Sequence, residues 1–418
     1  MPGRKSERVL LVGVANRATP RALAEEHLDE LARLAETAGG DVVGRFVQER
    51  ASPDPATYIG KGAAEALGKR AETERADLVV FDDELTPGQA RNLEERWGGA
   101  VRVLDRPGLI LDVFATHARS REARTQVELA QLQYLLPRLA GRYRHLSGLS
   151  GGIGARGGAG EQKLELDRRM IRDRIAHLRR DLAKIDTARD VRRRGRQKVF
   201  QVAISGYTNA GKTTLFNRLT RQSAYAADRL FATLDARAAR GASSQLSGIV
   251  FLDTVGLVRK LPTTLVASFR STLSEIRDAD LVLHVLDASS PRVDEERRVA
   301  EEVLEELGVL PERILPVWNK TDLKGAARSR EGEGLRVSAL TGAGLPELSQ
   351  AVLTRARPEP DRFRLRIPYT DGRSIAAARA AFRVVREQDA GDTLALELAG
   401  QKRSLGPFKP YLDEGRKK

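Results

Sequence analysis

The chain contains no cysteine among its 418 residues. This absence excludes disulfide bonds, thiolate catalysis and cysteine-ligated zinc, and it fits a reducing compartment. Histidine is also scarce, and no two of the five lie at a spacing typical of metal ligands: His27, His117, His145, His177 and His284. We expect His284, within the apolar run 281–286, to be a strand residue whose ring is satisfied locally. The histidines therefore imply no metal site.

Long apolar runs and aromatic residues are both lacking. No apolar segment approaches the ~18 residues needed to span a bilayer, and residues 1–8 lead directly into a strand-like run. We therefore expect no membrane span. We also expect a cytoplasmic monomer, with a fraction of it associated with membranes. Aromatic residues form 5% of the chain, too few for a platform that stacks nucleic-acid bases.

Positive charge is abundant and unevenly distributed. The chain has 71 Lys and Arg against 57 Asp and Glu, which gives a net charge of +14. Residues 138–198 hold 18 Lys and Arg but 7 Asp and Glu, so most of the surplus lies there. A solvated helix face would show alternating signs. A surplus of one sign favours RNA, contacted at its phosphates and recognised by shape.

A glycine-rich motif follows the strand-like run 199–204. Its residues are Gly206, Tyr207, Thr208, Asn209, Ala210, Gly211, Lys212, Thr213 and Thr214. The glycines let backbone amides turn toward phosphate oxygens, Lys212 neutralises the β- and γ-phosphates, and Thr213 offers its hydroxyl to Mg²⁺. The motif predicts a site for a nucleoside triphosphate and Mg²⁺, with an ordinary strand-to-helix turn as the alternative.

A second motif predicts which base the nucleotide carries. Its residues are Asn319, Lys320, Asp322, Ser338, Ala339 and Leu340. Asp322 can accept both the ring N–H and the exocyclic amine of guanine, whereas adenine would leave this carboxylate unpaired. We expect Lys320 to lie along the base and Asn319 to tie this segment to the phosphate-binding loop. A solvated turn is the alternative, but the position behind a phosphate-binding loop favours GTP.

Two segments between these motifs are predicted to sense the γ-phosphate. The first switch consists of Phe231, Ala232, Thr233 and Leu234, and the second of Asp253, Thr254, Val255, Gly256 and Leu257. Asp253 would hold Mg²⁺ through water, and the amide of Gly256 would contact the γ-phosphate. Thr233 lies where a threonine could complete the Mg²⁺ shell. The alternative for the second segment is a simple turn at a strand end.

The predicted site lacks a side chain that positions the attacking water. Many GTPases carry a glutamine at the position of Leu257, so we expect slow intrinsic hydrolysis. Asn209 could hold a monovalent cation such as K⁺ near the bridge between the β- and γ-phosphates, where it would supply positive charge in the transition state. The alternative is that Asn209 only stabilises the loop.

These motifs resemble those of the HflX family of GTPases, and the resemblance runs nearly from end to end. In the nucleotide-binding region it covers residues 206–217, 231–235 and 253–256, and upstream it covers 58–62, 84–93 and 126–138. The resemblance supports Thr233 as part of a first switch. It implies a ribosome-associated GTPase that binds the large subunit and, in relatives, separates stalled or idle ribosomes into subunits.

Two apolar seams predict an antiparallel helical hairpin. The seam residues are Leu129, Leu132, Leu136 and Leu139 in one run and Ile171, Ile175, Leu178, Leu182 and Ile185 in the other. Roughly 30 helical residues at 1.5 Å each would project the glycine-rich tip, residues 147–160, by about 45 Å. A disordered linker is the alternative. The residues expected to contact rRNA are Arg142, Arg144, His145, Arg156, Arg168 and Arg169.

The predicted fold class is α/β: a P-loop GTPase domain with an N-terminal α/β domain, a helical hairpin and a small C-terminal α+β domain. The expected boundaries are 1–108 for the N-terminal domain, 109–197 for the hairpin, 198–357 for the GTPase domain and 358–418 for the C-terminal domain. Strand-like runs alternate with helical ones in the first domain, which predicts parallel crossovers. In the last domain, two apolar runs at 363–367 and 393–398 flank a predicted helix.

We therefore expect a GTP-hydrolysing switch that engages the large ribosomal subunit and its rRNA. Hydrolysis should be slow alone and faster on the ribosome, and subunit separation should require GTP binding more than cleavage. The alternative is a GTP-regulated RNA chaperone or ribosome-assembly scaffold that binds structured rRNA without splitting activity. A third reading, an ATP-dependent RNA-remodelling enzyme, is disfavoured by the quartet 319–322.

Overall fold

The computed structural model describes residues 6–139, 159–194, 199–222, 231, 237–260, 270–323, 325, 334–356, 361–400 and 402–413. Two compact units divide the chain, residues 1–349 and 350–418. The first contains a four-stranded and a six-stranded sheet, and the second contains a three-stranded sheet. None of the helices in these ranges combines the length and the apolar character that a bilayer crossing requires.

The amino-terminal part of the first unit is a parallel sheet flanked by helices. Its strands are β1 (Arg8–Ala15), β2 (Asp41–Glu49), β3 (Leu78–Phe81) and β4 (Arg102–Asp105), in the order β2-β1-β3-β4. Its helices are α1 (Arg21–Thr37), α2 (Lys61–Thr73), α3 (Pro87–Arg96) and α4 (Arg106–His117). All strand pairings are parallel, so the predicted crossovers are confirmed. Seven of the eight residues of β1 are buried, as expected for a strand covered on both faces.

The order of these strands creates a crevice at one edge of the sheet. From β1 the chain proceeds to β2 on one side, and β3 lies on the other side of β1. In open α/β sheets, ligands bind outside the carboxyl ends of the strands at such a change of direction. Asp82 and Asp83 follow β3 directly and therefore lie at this crevice.

Two helices after α4 pack into a hairpin. They are α5 (Arg121–Leu135) and α6 (Ala159–Arg194). Leu129, Ile175 and Leu178 form a buried cluster, packed against by Leu132, Leu136, Ile171 and Leu182. The two apolar seams therefore meet, and Arg174 also donates to Glu128 across them at 2.7 Å. Most of the predicted tip, residues 147–158, lies outside the described residues.

The six-stranded sheet brings the predicted nucleotide motifs to one edge. Its strands are β5 (Phe200–Gly206), β6 (Arg237–Arg240), β7 (Ile249–Asp253), β8 (Leu281–Asp287), β9 (Ile314–Asn319) and β10 (Leu335–Arg336), in the order β10-β9-β8-β5-β7-β6. Its helices are α7 (Lys212–Thr220), α8 (Arg270–Asp278), α9 (Val293–Glu306) and α10 (Leu345–Ala356). Strands β5, β7, β8 and β9 run parallel. The motifs that follow β5, β7 and β9 therefore lie at the same sheet edge.

A single buried cluster joins the two sheets of the first unit. It includes Leu28 of α1 and Phe114 of α4 together with Phe231, Val255 and Val258 of the nucleotide-binding part. The rings of Phe114 and Phe231 meet edge to face, with centroids 4.7 Å apart. Such a pair contributes about 0.5–1.5 kcal/mol beyond the burial of its area. Both predicted switches thus share a core with the amino-terminal domain.

The second unit is an antiparallel sheet covered by one helix. Its elements are β11 (Asp361–Pro368), α11 (Gly372–Ala381), β12 (Arg383–Asp389) and β13 (Thr393–Gly400), and the strand order is β11-β13-β12. Leu365, Ile367 and Leu396 pack with Ile375 and Ala378 of α11. The two predicted runs are strands β11 and β13. Strand β12 was not predicted, because nearly all of its residues are solvent-exposed and its sequence carries no apolar run.

His284 contradicts the expectation of local satisfaction. It lies on β8 as predicted and is fully buried, but neither ring nitrogen has a hydrogen-bond partner. Its neighbour on β5, Ser205, has a buried hydroxyl that also lacks one. Burial lowers the pKa of the imidazole to about 4, aided by the positive charges of Arg297 and Lys212, so the ring is neutral at pH 7.

We predict that His284→Leu removes a pH-dependent loss of stability. The unfolded imidazole titrates near 6.5 and the folded one near 4, so the unfolded state binds more protons as the pH falls between these values. The free energy of unfolding of the wild type should then fall by up to about 3 kcal/mol across this window. At pH 7 the leucine variant should be at least as stable, because two unpaired nitrogens are gone.

Urea unfolding at pH 7 and at pH 5, followed by the fluorescence of Trp97 and Trp318, measures this effect in the first unit. His177→Gln is the matched control, since His177 is exposed. An equal pH dependence in His284→Leu and the wild type would contradict the prediction.

Candidate GTP-binding site

The phosphate-binding motif forms a tight loop between β5 and α7. Gly206 has φ +150°, and a Cβ there would lie 2.2 Å from the carbonyl oxygen of Val285. Gly211 has φ +90°, and a Cβ there would lie 2.3 Å from Nδ2 of Asn319. Asn209 also adopts a left-handed backbone with φ 64°, a conformation that asparagine tolerates better than most residues. Glycine is therefore required at two points of the loop.

Lys212 and Thr213 begin helix α7 beneath this loop. The ammonium of Lys212 donates to the carbonyl of Tyr207 at 2.7 Å and is almost fully buried. Burial lowers the pKa of Lys212 to about 8, which the charge of a bound polyphosphate would reverse. The loop amides and the helix amino terminus add further positive potential. This end of β5 is suited to an anion with several negative charges.

Thr213 and Asp253 fit a magnesium ion. The hydroxyl of Thr213 donates to Oδ2 of Asp253 at 2.9 Å, and Asp253 is fully buried at the end of β7. A hydroxyl and a carboxylate oxygen are hard donors of the kind that Mg²⁺ takes together with waters and phosphate oxygens. Thr233, the third residue predicted to reach the ion, lies outside the described residues, as do Ala232 and Leu234.

The predicted second switch lies directly against the phosphate-binding loop. Leu257 donates its N–H to the carbonyl of Gly206 at 3.0 Å and accepts the N–H of Thr208 at 2.8 Å. A Cβ on Gly256 would lie 2.8 Å from the side chain of Thr208 and 3.1 Å from Nζ of Lys212. Thr254 donates to the carbonyl of Ile204 at 2.8 Å. A side chain at position 256 would therefore crowd both Thr208 and Lys212.

The predicted base-reading residues lie at the end of β9. Asn319 is buried, donates to the carbonyl of Ala210 at 2.8 Å and accepts the N–H of Ala339 at 2.9 Å. It thus ties the base-reading segment to the phosphate-binding loop, as expected. Asp322 accepts the hydroxyl of Ser338 at 2.5 Å. This bond occupies one carboxylate oxygen and fixes the side chain, which leaves the other oxygen able to meet a base.

Two further residues complete this edge. Lys320 has φ 60° and pairs with Asp287 at 2.6 Å. Leu340 is exposed, as a residue bordering a binding crevice would be. Arg218 of α7 donates to the carbonyl of Ala339 at 3.0 Å, which links the helix of the phosphate-binding loop to the base-reading segment.

The residues predicted to contact rRNA are described in part. Arg168 and Arg169 lie on α6, where Arg168 is 3.8 Å from Glu165 and Arg169 is exposed. Arg142, Arg144, His145 and Arg156 lie outside the described residues. Their role stays a prediction.

Sequence reasoning missed a buried ionic cluster between the two sheets. Arg106, at the start of α4, is fully buried and donates to Glu30 and Asp82, each at 2.5 Å. Burial alone would raise the pKa values of these carboxyl groups, but the adjacent guanidinium groups, with Lys260 beside Asp82, hold both below their usual range. The partners lie 76 and 24 residues from Arg106, so no local pattern indicates them. The sequence did carry one indication of the cluster: these charged residues lie among apolar ones, and charged residues are rarely buried unless they are paired.

Family models match three consecutive parts of the chain. Their descriptions are GTP-binding GTPase N-terminal for residues 25–115, GTP-binding GTPase middle region for residues 117–196, and 50S ribosome-binding GTPase for residues 201–320.

Known relatives match most of the chain. GTPase HflX of Caldanaerobacter subterraneus is 44% identical over 386 residues, which cover 92% of this chain and 89% of the relative. GTPase HflX of Escherichia coli is 43% identical over 357 residues, which cover 83% of each. The chain belongs to the HflX family of GTPases. Like the family, it is an enzyme that binds and hydrolyses GTP.

Among solved structures, the HflX-family chain is similar to a GTP-binding protein from Sulfolobus solfataricus in complex with GDP, with 25% identity and a TM-score of 0.43. A structure titled SsGBP and GDP complex gives 25% identity and a TM-score of 0.46. Each match covers 84% of this chain and 98% of the other.

We predict that Asp322→Asn changes the base preference of this HflX-family site. The amide would present a donor toward the N–H groups of guanine, so GTP affinity should fall by roughly 100-fold. Xanthosine triphosphate has a carbonyl in place of the exocyclic amine and should bind better to the variant than to the wild type.

Competition binding with GTP, ATP and xanthosine triphosphate measures this preference. Asp294→Asn, on the exposed first turn of α9, is the control and should keep the wild-type order. A variant that retains GTP affinity and gains none for xanthosine triphosphate would show that Asp322 does not read the base.

Proposed function

We propose that this GTPase binds the large ribosomal subunit through its basic hairpin and separates stalled or idle ribosomes into subunits in the cytoplasm. The observation that carries the proposal is α6, a 36-residue helix rich in arginine that precedes the nucleotide-binding sheet directly in the chain. The description of the matching family model as a 50S ribosome-binding GTPase supports the same partner.

The charge of α6 suits a polyanion. Between residues 165 and 185, its exposed residues include Arg169, Arg172, Arg179, Arg180 and Lys184. Several acidic residues of this stretch form ion pairs with neighbouring basic side chains, as Glu165 does with Arg172 at 3.3 Å. Such a surface binds RNA phosphates without sequence selectivity and releases counterions as it does so. The charged hairpin would then provide the affinity for RNA, and the shape of the RNA would provide the selectivity.

The residues at the sheet edge would each bind a different part of GTP. Lys212 and the loop amides bind the phosphates, and Asp322, Lys320 and the backbone near Ala339 hold the guanine. Thr213 and Asp253 would hold Mg²⁺ together with Thr233, and the ion would neutralise charge that develops on the phosphates. Gly256 would donate its amide to the γ-phosphate, which makes the second switch sensitive to hydrolysis.

The absence of a water-positioning glutamine explains why the ribosome would be needed for fast turnover. Leu257 is buried and apolar, and its backbone is paired with the phosphate-binding loop, so this side chain cannot orient a water molecule. A group supplied by the ribosome, or rearrangement of the segment upon docking, would have to do so. Subunit separation would follow from binding in the GTP state, and hydrolysis would release the protein.

We predict that purified large subunits raise GTP turnover by roughly tenfold or more, because docking completes the site. Arg168→Glu with Arg169→Glu should reduce this stimulation and leave turnover without subunits unchanged. Small subunits are the control. Equal turnover with and without large subunits would remove the ribosome from the mechanism.

Sedimentation of intact ribosomes with a non-hydrolysable GTP analogue tests the splitting step. The proposal expects separate subunits wherever the protein binds. Ribosomes that stay intact with the protein bound, together with salt-sensitive binding to generic RNA, would favour a GTP-regulated RNA chaperone or assembly scaffold instead.

We further propose that Asn209 holds a K⁺ ion in the GTP state. Its left-handed backbone places it at the turn of the loop, where a cation could approach the bridge between the β- and γ-phosphates. Hydrolysis should be faster in KCl than in NaCl, and Asn209→Ala should abolish the difference. Equal wild-type rates in the two salts would exclude a cation at this position.

A further inference from the structure

The hydroxyl of Tyr207 joins three parts of the molecule. Although Tyr207 belongs to the phosphate-binding loop, its side chain leaves that loop and donates to Oε2 of Glu30 on α1 at 2.7 Å. The same hydroxyl accepts the backbone N–H of Arg259 at 3.0 Å. Nε of Arg259 donates to the same carboxylate oxygen of Glu30, also at 3.0 Å. Glu30 therefore holds both the loop and the segment that follows the second switch.

The carboxylate of Glu30 is itself held firmly. Arg106 binds its other oxygen, and all of these groups are buried. Nε of Arg106 also donates to the carbonyl of Arg259 at 3.3 Å. Arg259 in turn pairs with Glu295 of α9 at 2.7 Å. A carboxylate that accepts three donors in a buried environment has few alternative positions.

The next residue, Lys260, occupies the crevice of the amino-terminal sheet. Its ammonium lies 2.6 Å from Oδ2 of Asp82 and 2.5 Å from Oδ1 of Asp83, at the carboxyl end of β3. An open α/β sheet would bind a ligand there. Here the crevice holds Lys260, in the segment that follows the second switch, so the amino-terminal domain anchors residues 259 and 260 by charge.

This anchor lies close to Gly256 along the chain. Two residues separate Gly256 from Arg259, and one of them, Leu257, is paired with the backbone of Gly206 and Thr208. Gly256 consequently lies beside Nζ of Lys212, the group expected to bind the γ-phosphate. Two groups expected to donate to the same phosphate, one on the loop and one on the switch, thus lie close together.

We propose that Glu30 of the amino-terminal domain is a positioning residue of the GTP site, acting through Tyr207 and Arg259 to hold Gly256 where it meets the γ-phosphate. The proposal rests on the proposed contact between Gly256 and that phosphate. GDP has no γ-phosphate and does not need the switch in place. Loss of the anchor should therefore weaken GTP binding and spare GDP, because a smaller fraction of molecules is competent for GTP.

Tyr207→Phe tests this role with the smallest change, since it removes one hydroxyl and keeps the ring and the loop backbone. Titration of the full chain with fluorescent GDP and with a fluorescent non-hydrolysable GTP analogue gives both affinities. We expect about tenfold weaker binding of the analogue and less than twofold change for GDP. Glu30→Gln should shift the same ratio in the same direction, and the KM for GTP should rise more than kcat falls.

Tyr134→Phe is the matched control. Its hydroxyl, on helix α5 of the hairpin, donates to the buried carboxylate of Asp105 at 2.6 Å and is not among the groups that hold Glu30. It should leave the ratio of the two affinities unchanged. Equal losses of GDP and GTP affinity in Tyr207→Phe would indicate a merely structural role, and stronger GTP binding would show that the anchor restrains the switch instead; both results would overturn the proposal.

Gly256→Ala separates failure of this inference from failure of the contact on which it rests. The added methyl would meet Thr208 and Lys212 whichever nucleotide is bound, so its effect is measured as GTP affinity relative to GDP affinity, which should fall if Gly256 contacts the γ-phosphate. If this variant loses GTP affinity and Tyr207→Phe does not, the positioning role of Glu30 is wrong while the contact stands. If neither loses it, the contact itself is wrong and the inference falls with it.

The second unit carries an independent feature, a row of arginines on the open face of its sheet. The exposed residues are Arg362, Arg364 and Arg366 on β11 and Arg383 and Arg386 on β12. On the central strand they face small or acidic residues: Arg362 and Arg383 both lie beside Ala399, and Arg364 and Arg386 both lie beside Glu397. The opposite face packs on α11.

The geometry of this face suits a polyanion backbone. Strands β11 and β12 flank β13, so their arginines form two rows about 10 Å apart, with Ala395, Glu397 and Ala399 of β13 between them. Arg366 pairs with Asp413 at 2.9 Å, but the ion pairs of the described residues engage none of the other four arginines. The face carries no aromatic side chain at these positions, which favours phosphate contact over base stacking.

We propose that this sheet face binds the phosphate backbone of structured RNA, in addition to the hairpin contact on which the proposed function rests. Arg364→Glu with Arg386→Glu in the full chain should weaken binding to large-subunit rRNA transcribed in vitro by roughly tenfold or more. The slope of log affinity against log KCl concentration should fall by about two. Arg373→Glu with Lys409→Glu, on the helical side of the unit, is the control with the same change in charge.

Three outcomes would count against this second proposal. Equal affinity of both double variants would show that the face does not bind RNA, while the hairpin contact stands. Failure of the wild type to bind rRNA would remove the partner altogether. If Arg364→Glu with Arg386→Glu lost affinity for intact subunits and kept it for rRNA, the face would contact a ribosomal protein.

Discussion

The buried carboxylate of Glu30 is the interaction on which the arrangement of the first unit depends. A carboxylate without water is costly unless charged partners surround it, and here Arg106, Arg259 and the Tyr207 hydroxyl supply them. Removal of one partner from such a group typically costs about 3–5 kcal/mol, because the remaining charges stay buried. The two sheets therefore cannot separate easily. Apolar contacts, such as that between Phe114 and Phe231, lie at the same boundary and exclude water from the ion pairs.

The boundary between the two sheets matters for function because the phosphate-binding loop and the second switch lie on its nucleotide-binding side. The parallel strands bring the phosphate-binding loop, the second switch and the base-reading segment to one edge, and Asn319 joins two of them by hydrogen bonds. The amino-terminal domain contacts the loop through Tyr207 and the segment that follows the second switch through Arg259 and Lys260. A GTPase domain whose switch is anchored on a neighbouring domain can transmit its nucleotide state to that domain and to the hairpin that follows it.

The sequence was sufficient to predict GTP binding and the meeting of the motifs at one sheet edge, because each motif is short and carries its own geometry. The loop 206–214 requires glycine at positive φ, and Asp253 and Asn319 end apolar strands that a parallel sheet must align. The ionic cluster escaped prediction because Glu30 and Arg259 are 229 residues apart and neither belongs to a periodic pattern. His284 was misjudged, since an apolar strand pattern does not reveal whether a ring finds a partner. Strand β12 was missed because exposure on a sheet surface left it without an apolar run.

A double-mutant cycle between Glu30 and Arg259 tests the central claim most directly. The free energy of binding of a non-hydrolysable GTP analogue would be measured for the wild type, Glu30→Gln, Arg259→Gln and the double variant. If the buried contact between Glu30 and Arg259 completes the GTP site across the domain boundary, the double variant should lose no more affinity for the analogue than the more affected single variant does. Fully additive losses would mean that the two residues act independently, and they would contradict the account.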